Sequence, residues 1–140
     1  MLVRNCAGGV IFSGEKVFLL QNEKGEWVLP KGVVRSGDLT NEVALNRVRE
    51  EAGISAEIVS TAGNTSYEFF SVTRRKPVCN KIVWYIMKSQ NEDYKIIENA
   101  KFTDGGYFKV DEAINMVTYS QDKSLVNLSY RKFRELAQVV

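Results

Sequence analysis

Histidine is absent from all 140 residues. Its absence rules out Ser-His-Asp and Cys-His catalysis and every zinc site that uses imidazole. Cysteine is scarce as well: Cys6 and Cys79 both lie in apolar, strand-like surroundings, which predicts buried reduced thiols rather than a disulfide or a nucleophile. The chain has only two prolines, and no Pro- or Gly-rich linker divides it, so one domain over residues 1–140 is expected, long enough to bury a real core. Long apolar runs are missing. Nothing approaches the roughly 18 residues of a membrane span, and the opening MLVRNCAGGVIF lacks the h-region and cleavage pattern of a signal peptide. These absences lead to the expectation of a cytoplasmic protein with no membrane partner. A net charge of +2 is too small to imply nucleic acid, although it suits a polyanionic small substrate. There are no repeats and no low-complexity runs.

What remains is an ordinary globular composition, 44% hydrophobic and 26% charged. Residues 3–12 and 16–22 are rich in Val, Ile, Phe and Leu, and the Ser-Gly-Glu between them signals a hairpin. Residues 27–29, 56–61, 66–72, 78–88 and 107–110 also read as strands. Residues 111–116 read as a short helix, and 121–138 as an amphipathic helix whose stripe is Leu125, Leu128, Phe133 and Leu136. Residues 89–106 are polar and poorly periodic. A segment of that kind inside a compact domain is more often functional or mobile than idle. The hairpin tip Thr73-Arg74-Arg75-Lys76-Pro77 carries three consecutive cations, which fit a solvated edge or a clamp for a distal phosphate. Tyr67, Phe69 and Phe70 alternate along a strand, so at least one of them faces away from the core, packing across strands or stacking on a base. By themselves these patterns give a mixed α and β domain.

The stretch with the most chemistry is WVLPKGVVRSGDLTNEVALNRVREEAGI, residues 27–54. Its second half predicts a helix over residues 41–52, with Thr40 as N-cap, Glu42 in the first turn and Gly53 as the C-terminal stop. Ala44, Leu45, Val48 and Ala52 share one arc about 100° wide, the width of a core-facing stripe. Arg47, Glu50 and Glu51 share the other. They read either as a surface ion cluster worth under about 1 kcal/mol or as part of a site. The preceding loop favours a site: Gly32 and Gly37 permit tight turns, Lys31 supplies an ammonium, and backbone N–H groups are delivered beside carboxylates of the kind hard Mg²⁺ or Mn²⁺ ions prefer.

Residues 32–54 resemble the Nudix box, G-x5-E-x7-R-E-U-x-E-E-x-G-U with U aliphatic. Gly32 matches the first glycine, Val48 the aliphatic position, Glu50 and Glu51 the paired glutamates, and Gly53 with Ile54 the ending. Asp38, Asn46 and Arg47 stand where the family has Glu, Arg and Glu. Asp38 with Asn46 would keep a shorter, neutral form of the family's brace between loop and helix. Arg47 replaces a residue that binds metal or activates water in many members, and a guanidinium can do neither. WVLPKG is similar to the W-x-L-P-K-G of the branch containing dinucleoside polyphosphate hydrolases and their inositol-pyrophosphate relatives. An Ala-Gly-Gly such as Ala7-Gly8-Gly9 is also common in the family.

The resemblance implies an α/β fold, the Nudix α/β/α sandwich with a mixed β-sheet. It implies a hydrolase using Mg²⁺ or Mn²⁺ that cleaves a nucleoside diphosphate derivative: a dinucleoside polyphosphate, a nucleoside triphosphate or a nucleotide sugar. Glu50 and Glu51 would hold metal. A loop carboxylate, Asp104 ranked before Glu98, would orient or deprotonate water. Gly32, Lys31 and Arg35 would steady phosphates, and one of Tyr67, Phe69 and Phe70 would stack on the base. The alternative is a Nudix-fold nucleotide- or phosphate-binding module with little turnover, in which Arg47 neutralises the glutamates or binds phosphate as a bidentate fork. The expected partner is a small nucleotide or polyphosphate, with homodimerisation left open.

Overall fold

The computed structural model describes residues 1–97 and 101–138. Two apolar runs form its centre. β1 (Leu2–Ser13) turns through Gly14, at φ 58°, into β2 (Lys16–Asn22). Along β1 the residues from Cys6 to Phe12 are buried without alternation, the pattern of a strand covered on both faces. β3 (Trp27–Val28) and β4 (Lys31–Val33) are short; α1 (Thr40–Ala52), β5 (Glu57–Ser71), β6 (Lys76–Lys88), β7 (Phe102–Lys109), α2 (Val110–Met116) and α3 (Ser120–Gln138) follow.

The sheet runs β3-β2-β1-β6-β5, with β4 pairing β1 and β7 pairing β2. β1 and β6 are parallel over their whole length, from Leu2↔Val78 to Phe12↔Lys88, while the other pairs are antiparallel. On one face Val10, Phe12, Val17 and Leu19 meet Val110 and Ala113 of α2 and Leu125 and Val126 of α3. On the other, Ala7, Ile11, Phe18 and Leu20 meet Ala44, Val48 and Ala52 of α1. The result is the expected α/β/α sandwich around a mixed sheet, and both cysteines are free and buried within it.

Several local expectations are corrected. The strands expected at 56–61 and 66–72 are one strand, β5. Its Ala62-Gly63-Asn64 stretch is absorbed as register shifts next to Gly63 (φ 127°), because β6 offers an unbroken partner. β7 begins at Phe102, inside the supposedly irregular segment, because the edge of β2 pairs with it from Asn22 to Lys16. Leu39, not Thr40, is the N-cap of α1 and makes no side-chain cap bond. The Thr40 hydroxyl lies 2.6 Å from Tyr85 Oη instead. On α3 the buried stripe is Leu125, Val126 and Ser129, with Phe133 stacked on Phe12 at 4.9 Å, whereas Leu128 and Leu136 are exposed.

Candidate active site

Burial of Ala44, Val48 and Ala52 fixes the roll of α1, and that roll sets its carboxylates apart. Glu51, one position before Ala52, is buried at 5% exposure; Glu50 is exposed. The helix stops at Gly53, whose φ of 63° suits glycine and whose N–H donates to the Arg49 carbonyl at 2.9 Å. Lys95 N–H donates to the Ala52 carbonyl at 2.8 Å and Ile97 N–H to that of Glu51 at 3.4 Å, so residues 95–97 close over the helix end and deepen the burial of Glu51.

Two cations converge on one oxygen of that carboxylate. Arg47 Nη1 donates to Glu51 Oε1 at 3.3 Å and Lys101 Nζ donates to the same atom at 3.2 Å. Burial pushes the Glu51 carboxyl up from its ordinary value, and the Lys101 and Arg47 charges oppose that rise. Glu51 Oε2 is buried with no hydrogen-bond partner among the described residues. The Arg47 guanidinium also lies flat against the backbone of Gly32: a Cβ there would sit 2.4 Å from Arg47 Nε. Any larger residue at this point of the box loop, where Gly32 pairs with Ala7 of β1, would push the Arg47 guanidinium aside. Asp38 and Asn46 do not brace loop against helix. Asp38 Oδ2 accepts from Arg35 N–H at 3.1 Å and Asn46 Oδ1 accepts from Arg49 Nη1 at 3.3 Å, because α1 turns Asn46 outward.

Beside this cluster, on the sheet face that carries α3, a cleft of about 690 Å³ opens between β5, the β2–β3 turn and the start of α3. Lys31 and Lys101 both line it, and Lys101 also reaches Glu51. Tyr67 and Phe69 form one wall, with ring centroids 5.8 Å apart and Lys31 Nζ 5.9 Å from the Tyr67 ring. Asn80 Nδ2 donates to Tyr67 Oη at 2.7 Å, and Trp84 Nε1 donates to Thr65 Oγ1 at 2.7 Å beneath. Across from them Tyr119 Oη donates to Glu26 Oε2 at 2.5 Å, joining the approach to α3 to the β2–β3 turn. That bond pushes the Tyr119 phenol up to about 12 and lowers the Glu26 carboxyl. Gln121 Nε2 donates to the Ser66 carbonyl at 2.9 Å, fixing α3 to β5.

The structure thus brings together Gly32, Arg47 and Glu51, and sets Lys31 with Tyr67 and Phe69 in the cleft, which Lys101 joins to Glu51. Phe70, next along β5, projects to the opposite face and does not line the cleft. Arg35 is exposed in the turn after β4. Asp104 is exposed on β7 opposite Gln21, with one oxygen accepting from Gly105 N–H at 2.7 Å. Glu98 lies outside the described residues. Sequence reasoning missed Lys101, Tyr119 and Glu26. Each sits in or next to a loop with no periodicity, and only the pairing of β7 with β2 and the docking of α3 carry them to the cleft.

No group of three or more Cys, Asp or Glu side chains gathers as a metal cluster among the described residues. The donor set nevertheless fits a hard divalent ion: the buried, unpartnered Oε2 of Glu51 and the exposed carboxylate of Glu50 would supply oxygens, with substrate phosphates and water completing the shell, the usual habit of Mg²⁺.

A mixed sheet between helix layers, with a glycine loop, a buried glutamate and cations beside a cleft, defines the fold class. A family model for the NUDIX domain matches residues 3–128. The chain therefore belongs to the NUDIX family. It is similar to the bis(5'-nucleosyl)-tetraphosphatase (asymmetrical) of Rattus norvegicus, 27% identical over 108 residues that cover 76% of this chain and 72% of the rat protein. The Mycobacterium tuberculosis protein designated MutT4 is 25% identical over 108 residues. That match covers 74% of this chain and spans 40% of the length of the mycobacterial protein. The crystal structure of a C. elegans Ap4A hydrolase binary complex superposes with a TM-score of 0.69 at 21% identity, covering 94% of this chain and 98% of that one, a likeness of fold.

Proposed function

We propose that the protein is a divalent-metal-dependent pyrophosphohydrolase for a nucleoside diphosphate derivative. The observation that carries this reading is the cleft of about 690 Å³ that Lys31 and Lys101 both line, Lys101 in contact with Glu51, and in which Tyr67 and Phe69 form an aromatic wall. Base and anhydride chemistry have separate surfaces there. A base stacks against Tyr67 or Phe69, and the two ammonium groups draw the phosphate chain toward Glu51. Glu51, through Oε2, and the exposed Glu50 would hold a Mg²⁺ or Mn²⁺ ion. When bound, that ion neutralises anhydride charge and acidifies water.

Arg47 and Lys101 hold Glu51 Oε1 in place, so Oε2, the oxygen without a hydrogen-bond partner among the described residues, would be the one to take the ion. Asp104 is the first choice of base and Glu98 the second. Asp104 satisfies one oxygen with Gly105 N–H and offers the other to water. Dinucleoside polyphosphates, nucleoside triphosphates and nucleotide sugars all present the required anhydride. Incubating the protein with Mg²⁺ or Mn²⁺ and a panel of the three classes, with chromatography of the products, tests the reading. Turnover of at least one class is expected, and no turnover of any class rejects it.

A second reading rests on the Arg47 guanidinium, which fills the space above Gly32. It makes the protein a nucleotide-binding module in which Arg47 and Lys101 neutralise Glu51. Nucleotide binding without turnover on the panel is its signature.

A further inference from the structure

The free end of the β5–β6 hairpin carries apolar and cationic groups that the cleft does not use. At this end of the sheet Phe70 pairs with Pro77 and Ser71 with Lys76, and the first turns of chain in β1 lie alongside, Val3 opposite Cys79. Val3 is 48% exposed, Phe70 63% and Val72 81%, all uncovered by either helix layer. Strand alternation puts Val3 and Phe70 on the same face of the sheet, opposite the face on which Tyr67 and Phe69 line the cleft. The turn beyond them carries Arg74, Arg75 and Lys76, and no acidic residue occurs anywhere in residues 69–91. A net charge of +2 for the whole chain conceals this local excess.

The turn is also held in shape. Arg74 N–H donates to Ser71 Oγ at 3.3 Å, and Ser71 Oγ lies 3.3 Å from Thr73 Oγ1. Arg75 has a φ of 53°, the sole positive φ at a non-glycine among the described residues, in a place where glycine or asparagine would fit without strain. A long cation is kept there at a conformational cost.

We propose that this hairpin tip docks the protein on an anionic lipid bilayer. Val72 and Phe70 enter the boundary between headgroups and acyl chains, while Arg74, Arg75 and Lys76 meet the lipid phosphates and carboxylates. A second copy of the chain is a poor occupant, since a two-fold contact would set the same three cations against their own images. Nucleic acid is poorer still. Apart from Phe70 the apolar groups are aliphatic, and single strands are bound by stacking on aromatic platforms. The proposal does not depend on the hydrolase reading, because none of Val72, Arg74, Arg75 or Lys76 lines the cleft.

Sedimentation with vesicles tests it. The protein should pellet with vesicles of phosphatidylcholine and phosphatidylserine in equal parts and stay in solution with phosphatidylcholine alone, and added salt should release it. Val72→Ser combined with Arg75→Gly should lower the bound fraction by about tenfold or more, since one insertion and one surface charge are lost together. Arg75→Gly relieves the positive φ, so loss of binding by this variant is not loss of folding, and an unchanged or raised melting temperature verifies that. Failure of the wild type to pellet with the anionic vesicles overturns the proposal. Equal pelleting by the double variant overturns it too, as does a wild-type dimer that Val72→Ser dissociates or binding of a single-stranded RNA in preference to vesicles.

Discussion

Glu51 carries a conflict that single substitutions can separate. Its carboxyl is raised by burial, so folding is favoured by the protonated form. That contribution is complete below the unfolded value of about 4.3 and is lost as pH rises through the higher folded value. Glu51→Gln removes the titration. The variant should melt at the same temperature as the wild type near pH 4 and higher than it at pH 7, read by calorimetry in the absence of metal. In Mg²⁺ or Mn²⁺ the order should change: the ion raises the melting temperature of the wild type and leaves that of Glu51→Gln unmoved. Arg47→Glu acts in the other direction. It takes a guanidinium away from Glu51 Oε1 and from the face of Gly32 and adds a third carboxylate to the same arc. Metal affinity should rise, and if the missing glutamate was the missing base, the rate on the substrate panel should climb by about 10² to 10⁴. If Asp104 or Glu98 already serves, Arg47→Glu gains little and Asp104→Asn or Glu98→Gln abolishes turnover.

The C-terminal stop of α1 is where helix geometry and site geometry meet, because Gly53 ends the turn that presents Glu51 and a Cβ there would lie 3.6 Å from Lys95 of the segment closing over it. Gly53→Ala places a Cβ on a left-handed residue and should cost about 1–2 kcal/mol. With an m-value of about 1–3 kcal/mol/M for a domain of this size, its urea midpoint should fall by about 1 M. β5 offers a cleaner partition, since alternation divides its aromatics between the two faces. Tyr67→Ala and Phe69→Ala should each weaken nucleotide binding by about 1–3 kcal/mol across different bases, and Phe70→Ala should not. Titration calorimetry with one purine and one pyrimidine nucleotide distinguishes them. Equal losses at all three positions would place the base outside the cleft.

For the whole molecule, one measurement joins the two halves of the site. If phosphates complete the coordination that Glu51 begins, metal and nucleotide together should raise the melting temperature by more than the sum of their separate shifts; strict additivity would mean that they bind apart. How much of this was legible beforehand follows from the range of the forces involved. Residues 32–54 specify their loop and helix by local means: a close-approach glycine, a core stripe of Ala44, Val48 and Ala52, and a left-handed stop at Gly53, all within one short stretch of chain. The apolar runs of residues 3–12 and 16–22, with the turn signal between them, likewise determined the β1–β2 hairpin. Burial of one glutamate and exposure of its neighbour was not legible in the same way, because Glu50 and Glu51 differ by a rotation of α1 that its packing on the sheet sets. Lys101 could not be read either, since β7 reaches Glu51 only by pairing with β2, and Tyr119 reaches Glu26 only once α3 has docked. Sequence alone determined the box, and through its resemblance the family and the layers, whereas short-range periodicity and turn chemistry by themselves gave a mixed α and β domain. Tertiary structure alone decided which carboxylate is buried, which cations compete for it and which aromatics face the cleft, because those depend on contacts between residues far apart in the chain.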